Sequence, residues 1–97
     1  MMPRNDPQPW YVYILQCSDR SLYTGIAKDL EKRLVQHNSG TGAKYTRGRT
    51  PVELVFAEGM RCHGDALRRE YQIKRMSLAQ KRKMIEASKP GKGGALV

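Results

Sequence analysis

Residues 10–26 read WYVYILQCSDRSLYTGI, and the fold turns on how that stretch divides. Residues 10–17, WYVYILQC, concentrate β-branched and aromatic side chains, which predicts a strand covered on both faces. SDRS supplies turn-forming residues, and LYTGI then resumes β character. Two such runs joined so closely predict a hairpin.

Working outward, Asp29 is placed to cap a helix over residues 30–38. NSG ends it, with Gly40 positioned for a left-handed residue. Leu30 and Leu34 supply the buried stripe of this helix, with Val35 beside it. Residues 39–51, SGTGAKYTRGRTP, are glycine, threonine and basic residues and predict a loop. VELVFAEG at 52–59 predicts a third strand, and a helix is expected over 64–76. Ser77 and Gln80 form a capping-box pair that opens a last helix, running to about Ala87. The proline-rich start, residues 1–9, predicts a flexible leader, and SKPGKGGALV, residues 88–97, a flexible tail. The order ββα–β–αα predicts one α+β domain over residues 10–87, a small three-stranded, mostly antiparallel sheet flanked by helices.

Ninety-seven residues leave room for a single thin core, so an ionisable residue on a core-facing stripe is conspicuous. Eighteen Lys+Arg against nine Asp+Glu give a formal charge of +9, shared between both halves of the chain. Such a field favours a polyanion, of which nucleic acid is the commonest; the plain alternative is a soluble protein that happens to be basic. A membrane surface suits the pattern less, because the basic residues do not gather opposite one broad apolar helix face. The longest apolar run is the short YVYIL, and two cysteines without a C-x-x-C spacing fit a reduced compartment, so a cytoplasmic protein is expected.

Three groups of residues could carry chemistry. Glu70 has Ala66, Leu67 and Ile73 as its helical neighbours, and a carboxylate in such surroundings needs a partner. Lys74 one turn on, Arg33 from another helix or a metal ion would serve; spacing alone favours the structural ion pair. Arg33 and His37 lie one turn apart, and a guanidinium with an imidazole can grip a phosphate and move a proton. A surface arginine beside a partly buried histidine explains the same pair. Tyr13 and Tyr23 occupy similar places on the two hairpin strands, so their phenols could converge, although either alone reads as a packing residue. Cys17, His37, Cys62 and His63 have the wrong spacing for zinc.

Together these pieces resemble the GIY-YIG nuclease superfamily from Trp10 to about Arg75. Tyr11-Val12-Tyr13 (YVY) stands for the first motif and Tyr23-Thr24-Gly25 (YTG) for the second. AKDLEKRLVQHN is similar to the helix that follows in the nuclease subunit of bacterial excision repair. QHNSGTGAKYTRGRTPVELVF is similar to a stretch of junction-cutting members, and ALRREYQIKR to the helix carrying the family's metal-binding glutamate. Size and layout resemble the small stand-alone bacterial branch often called YhbQ-like. The chain departs from the pattern at Tyr11, where the first motif has glycine, and at Ile26, where some members carry a lysine. It also has no asparagine beyond Glu70.

The resemblance implies a metal-dependent DNA endonuclease of low sequence specificity, acting on single-stranded or branched substrates. Glu70 would hold one Mg²⁺ (or Mn²⁺) on the scissile phosphate, and Arg33 would neutralise charge developing there. One of Tyr13 and Tyr23 would deprotonate or orient the attacking water while the other positions it. His37 would assist the leaving side or hold a tyrosine, and Gly25 would let the chain turn after Tyr23. Lys44, Arg47 and Arg49 in the loop, with Lys74, Arg75, Lys81, Arg82 and Lys83, are candidates for sequence-blind phosphate contacts. A partner protein could supply specificity, and a monomer is the default. The rival from another class is a non-catalytic nucleic-acid-binding module on the same fold. The missing lysine and asparagine favour that rival, and the Tyr/Tyr/Arg/His/Glu set opposes it.

Overall fold

The computed structural model describes residues 8–89; most of the expected leader and tail, residues 1–7 and 90–97, lies outside them. Three strands, β1 (Trp10–Gln16), β2 (Leu22–Ala27) and β3 (Glu53–Met60), form one sheet in the order β2-β1-β3. Both pairings are antiparallel, so β1 is the central strand and the hairpin is present as predicted. Helices α1 (Leu30–Asn38), α2 (His63–Lys74) and α3 (Leu78–Ser88) complete the α+β layer, and a short 3₁₀ turn, Lys44–Thr46, interrupts the predicted loop.

Alternation along β1 builds two cores. Val12 and Ile14 point to one face, where Phe56, Ala66, Ile73 and Ile85 from β3, α2 and α3 close over them. Tyr13, Leu15 and Cys17 point to the other, packing with Ala27, Val52, Tyr23, Leu30 and Leu34. A strand covered on both faces loses polar alternation, which is why 10–17 reads as a continuous apolar run. At Ile14/Leu15 the pairing with β3 shifts, because Ile14 faces Phe56 while Leu15 faces Leu54; Val55 is the additional residue of a bulge.

Local signals set the helix ends. Asp29 accepts from the Lys32 amide, and Ser77 and Gln80 bond reciprocally in a capping box. Gly40 has φ 88°, the left-handed conformation that a side chain resists. The α1 stripe is narrower than expected: Leu30 and Leu34 are half-buried, whereas Val35 is 66% exposed and takes no part in the core. At the C-terminal end of α1, the Asn38 side chain accepts from the Val52 amide at 2.7 Å and donates to the Val52 carbonyl at 3.2 Å. One residue thereby pins both ends of the intervening loop, which fixes where the 3₁₀ turn can lie.

Ile73 is fully buried between the sheet and α3, so Ile73→Ala should destabilise the protein by about 2–5 kcal/mol. Val35→Ala should change stability by less than about 0.5 kcal/mol. Urea denaturation of both variants checks the pair, and equal effects would contradict this packing.

Candidate active site

Tyr13 leaves the middle of β1 directly opposite Gly25 of β2. A Cβ at Gly25 would stand 2.7 Å from the Tyr13 hydroxyl and 3.1 Å from the Tyr23 ring, so the phenol lies across the bare glycine. This corrects the expectation of a turn at Gly25. The residue sits inside β2, and its role is to make room for Tyr13 rather than to bend the chain.

Four rings gather there. Tyr13 and Tyr23 have centroids 6.4 Å apart, and His37 of α1 lies 6.0 Å from the first and 5.4 Å from the second. Tyr45, from the 3₁₀ turn, stacks on Tyr23 at 5.9 Å with the planes 22° apart. His37 is wholly buried, beyond the partial burial that spacing suggested. Its Nε2 is 3.0 Å from the Tyr13 hydroxyl and its Nδ1 is 2.9 Å from the Thr46 hydroxyl. Thr46 is itself fully buried and donates its proton to the Ala43 carbonyl at 2.9 Å. Gly42 allows this close approach, since a Cβ there would meet His37 Nδ1 at 2.5 Å.

Burial raises the Tyr13 phenol above its ordinary value of 10.0. The Arg33 guanidinium beside it pulls the other way, while the Tyr23 and Glu70 side chains add to the rise. Arg33 and Glu70, from two different helices, therefore both act on this one hydroxyl. Burial lowers the His37 pKa, and the positive charge of Arg33 lowers it further, so the imidazole is held neutral.

Arg33 also donates to the Gln36 side chain at 3.0 Å. Glu70 keeps only 18% of its side chain exposed and pairs with Lys74 at 3.1 Å, the ion pair that spacing favours. Ala66 and Ile73 beside it are buried, but Leu67 is exposed and not part of an apolar cradle. Among the described residues no cluster of three or more His, Cys, Asp or Glu side chains stands ready for a metal. A lone, partly buried carboxylate can serve a hard divalent ion that keeps most of its water once the competing Lys74 ammonium gives way.

The predicted phosphate contacts separate by what they touch. Lys44 and Arg47 are exposed on the 3₁₀ turn and just after it. Lys74 and Lys81 line a cavity of about 220 Å³ with Leu22, Tyr23, Thr24 and Tyr45. Arg49 is engaged within the protein: it bonds Asp19 at 3.0 Å and the Tyr45 carbonyl at 2.6 Å, and covers the Tyr45 ring at 4.2 Å. Arg75 bonds the Tyr71 hydroxyl at 3.1 Å, and Arg82 holds Gln16 and the Arg20 carbonyl. Lys83 is exposed on α3.

Sequence reasoning missed Thr46, Tyr45 and Gly42. All three lie in a stretch without periodicity, and a threonine among glycines and basic residues carries no sign of burial. The pairing of Gly42-Ala43, small residues next to each other, is the one trace of close packing there.

A histidine kept neutral makes stability depend on pH. Below the ordinary histidine value of 6.5, the unfolded chain binds a proton that the folded protein resists. Stability should be complete above about pH 6.5 and decline as the pH falls from 6.5 toward 5. Urea midpoints at pH 7.5 and 5 check this; His37→Gln should flatten the dependence, and a wild-type midpoint that does not move contradicts it.

Comparison with known proteins shows the family of the chain. The model of the GIY-YIG catalytic domain matches residues 9–83. A UPF0213 protein of Staphylococcus saprophyticus is 55% identical over 75 residues, covering 77% of this chain and 92% of the relative. Another, from Desulfotalea psychrophila, is 47% identical over 90 residues, covering 92% and 82%. The solution structure of a UPF0213 protein from Bacillus halodurans is similar with a TM-score of 0.56 and 39% identity, covering 91% of this chain and 95% of that one. The chain belongs to the GIY-YIG family, generally one of endonucleases, and within it to the small stand-alone UPF0213 group.

Proposed function

We propose that this protein is a metal-dependent endonuclease that hydrolyses DNA phosphodiesters, with Tyr13 as the group that takes the proton from water. The observation that carries this reading is the 3.0 Å contact between the Tyr13 hydroxyl and His37 Nε2. A buried phenol with a raised pKa is a poor base alone. Beside a neutral imidazole it can accept a proton from water while passing its own to Nε2. The water oxygen then bonds to phosphorus, the phosphorus–oxygen bond to the leaving sugar breaks, and the leaving oxygen takes a proton from solvent. His37, buried and facing Tyr13 and Thr46, serves the tyrosine rather than the leaving group. Tyr23, packed against both rings, orients Tyr13 and the water.

Arg33 stabilises the charge that grows on the phosphate, its guanidinium already lying beside the Tyr13 hydroxyl. Glu70 would hold the divalent ion, Mg²⁺ or Mn²⁺, which when bound neutralises phosphate oxygens and orients the substrate. Lys74, half-exposed on a flexible stem, can leave Glu70 for a phosphate when that cation is present.

The cavity between Tyr23, Tyr45, Lys74 and Lys81 joins two aromatic side chains to two ammonium groups. That lining suits a nucleotide whose base is unpaired, which favours single-stranded or branched DNA over intact duplex. Sequence specificity is low, because one domain of this size spends its surface on phosphate contacts. No described helix is long and apolar enough to cross a membrane. A cytoplasmic monomer, with a partner protein able to supply specificity, completes the proposal.

Cleavage of single-stranded, flap and duplex DNA and of RNA, with Mg²⁺ or EDTA, tests the reading. Arg33→Ala and Glu70→Ala should each lower cleavage at least about 10²–10³-fold while salt-sensitive binding persists. EDTA should abolish cutting by the wild type. Cleavage that survives Glu70→Ala overturns the metal assignment, and binding without cutting on every substrate makes a non-catalytic binding module the better description.

Lys81→Ala gives an independent measure of the interface. It should weaken binding about equally across sequences and reduce the salt slope by about 0.7–0.9, the value for one phosphate contact. An unchanged slope places the nucleic acid elsewhere.

A further inference from the structure

We infer that Thr46 is a positioning residue that sets the tautomer of His37, and through it the direction of the Tyr13 proton. The inference rests on the Tyr13–His37 relay proposed above. A threonine hydroxyl has one proton to give. Here it points to the Ala43 carbonyl at 2.9 Å, so toward His37 Nδ1, also at 2.9 Å, the same oxygen can only accept. Nδ1 therefore carries the imidazole proton. Nε2 is left with its lone pair, facing the Tyr13 hydroxyl at 3.0 Å. The phenol must donate, and its oxygen keeps both lone pairs for water.

The opposite tautomer has a partner waiting. The Ala43 amide is directed at Nδ1 from 3.4 Å, a hydrogen bond that forms only when Nδ1 is the acceptor. Nε2 would then bear the proton and donate to Tyr13, leaving the phenol nothing to hand its own proton to. The Thr46 hydroxyl thus chooses between two arrangements that the surrounding backbone can both accommodate. Tyr13 from β1, Tyr23 from β2 and Arg33 from α1 are the titratable groups facing the ring. None is a carboxylate that could accept from Nδ1 in place of Thr46.

What holds Thr46 in place extends to the hairpin turn. The 3₁₀ turn is tied down by Arg49, which grips the Tyr45 carbonyl, covers the Tyr45 ring and pairs with Asp19 between β1 and β2. The Arg49 carbonyl also accepts from the Ser18 amide at 2.8 Å. Arg49, the loop cation expected on DNA, instead anchors the element that orients the histidine.

The test is ¹⁵N NMR of the His37 imidazole at neutral pH, beside single-turnover cleavage. The wild type should show a protonated Nδ1 and an unprotonated Nε2. Thr46→Val should invert that pattern and lower kcat by about 10²-fold or more with KM nearly unchanged, since a wrong histidine tautomer disables proton transfer without removing the ring. Thr46→Ser should keep the wild-type pattern and rescue cleavage. A wild-type spectrum with the proton on Nε2 overturns the inference whether or not Thr46→Val folds, as does a folded Thr46→Val that keeps Nδ1–H. If the wild type shows Nδ1–H and Thr46→Val inverts it, yet the wild type never cuts, the tautomer control stands and the nuclease reading fails.

Discussion

The hydrogen bond between Tyr13 and His37 joins the central strand to the first helix inside the molecule, and most of the site follows from it. A phenol can lie there only because Gly25, its cross-strand partner, has no side chain. An imidazole can be buried there only because both of its nitrogens are satisfied, one by Tyr13 and one by Thr46. Removing any member leaves a buried polar atom unpaired, a cost of about 1–3 kcal/mol in a small domain with little stability to spare. Packing and chemistry make the same demand on these residues.

The positive charge of the chain divides into two kinds. Arg49, Arg69 and Arg82 are spent inside the fold, on Asp19, on Glu58, and on Gln16 with the Arg20 carbonyl. The planar, many-donor guanidinium suits such bridging between elements. Among the expected phosphate contacts, those left open are Lys44, Arg47, Lys81 and Lys83, with Lys74 shared between Glu70 and the cavity. A compact ammonium on a flexible stem suits the tracking of a phosphate backbone. The bulk charge of +9 therefore overstates the groups free to meet nucleic acid.

The proposed catalytic groups come from the central strand, one edge strand and two helices, yet each is held by a local device. The Asp29 cap starts α1 so that Arg33 and His37 fall on the side facing the hairpin. The Asn38 clasp on Val52 closes the loop that brings Thr46 back beneath the ring. α2 carries Glu70 toward Tyr13 while Ala66 and Ile73 anchor it to the opposite core. No element is needed for the site alone.

Much of the architecture was legible in the chain because its signals are short-range. A strand buried on both faces, a polar turn, a capping aspartate, a capping box and a terminal glycine each act within a few residues. The pairing of Arg33 with His37 and the ion pair of Glu70 with Lys74 are one-turn spacings, readable in the same way. Residues 24 positions apart for Tyr13 and His37, and nine for His37 and Thr46, meet only once the sheet and loop have closed. Strand register decided that Gly25 faces Tyr13, and packing decided that Val35 and Leu67 face water. Composition and local periodicity determined which elements form and which reactive side chains they carry. Only tertiary structure decided which of those side chains share a hydrogen bond, because burial and long-range closure, not sequence neighbours, select the partners.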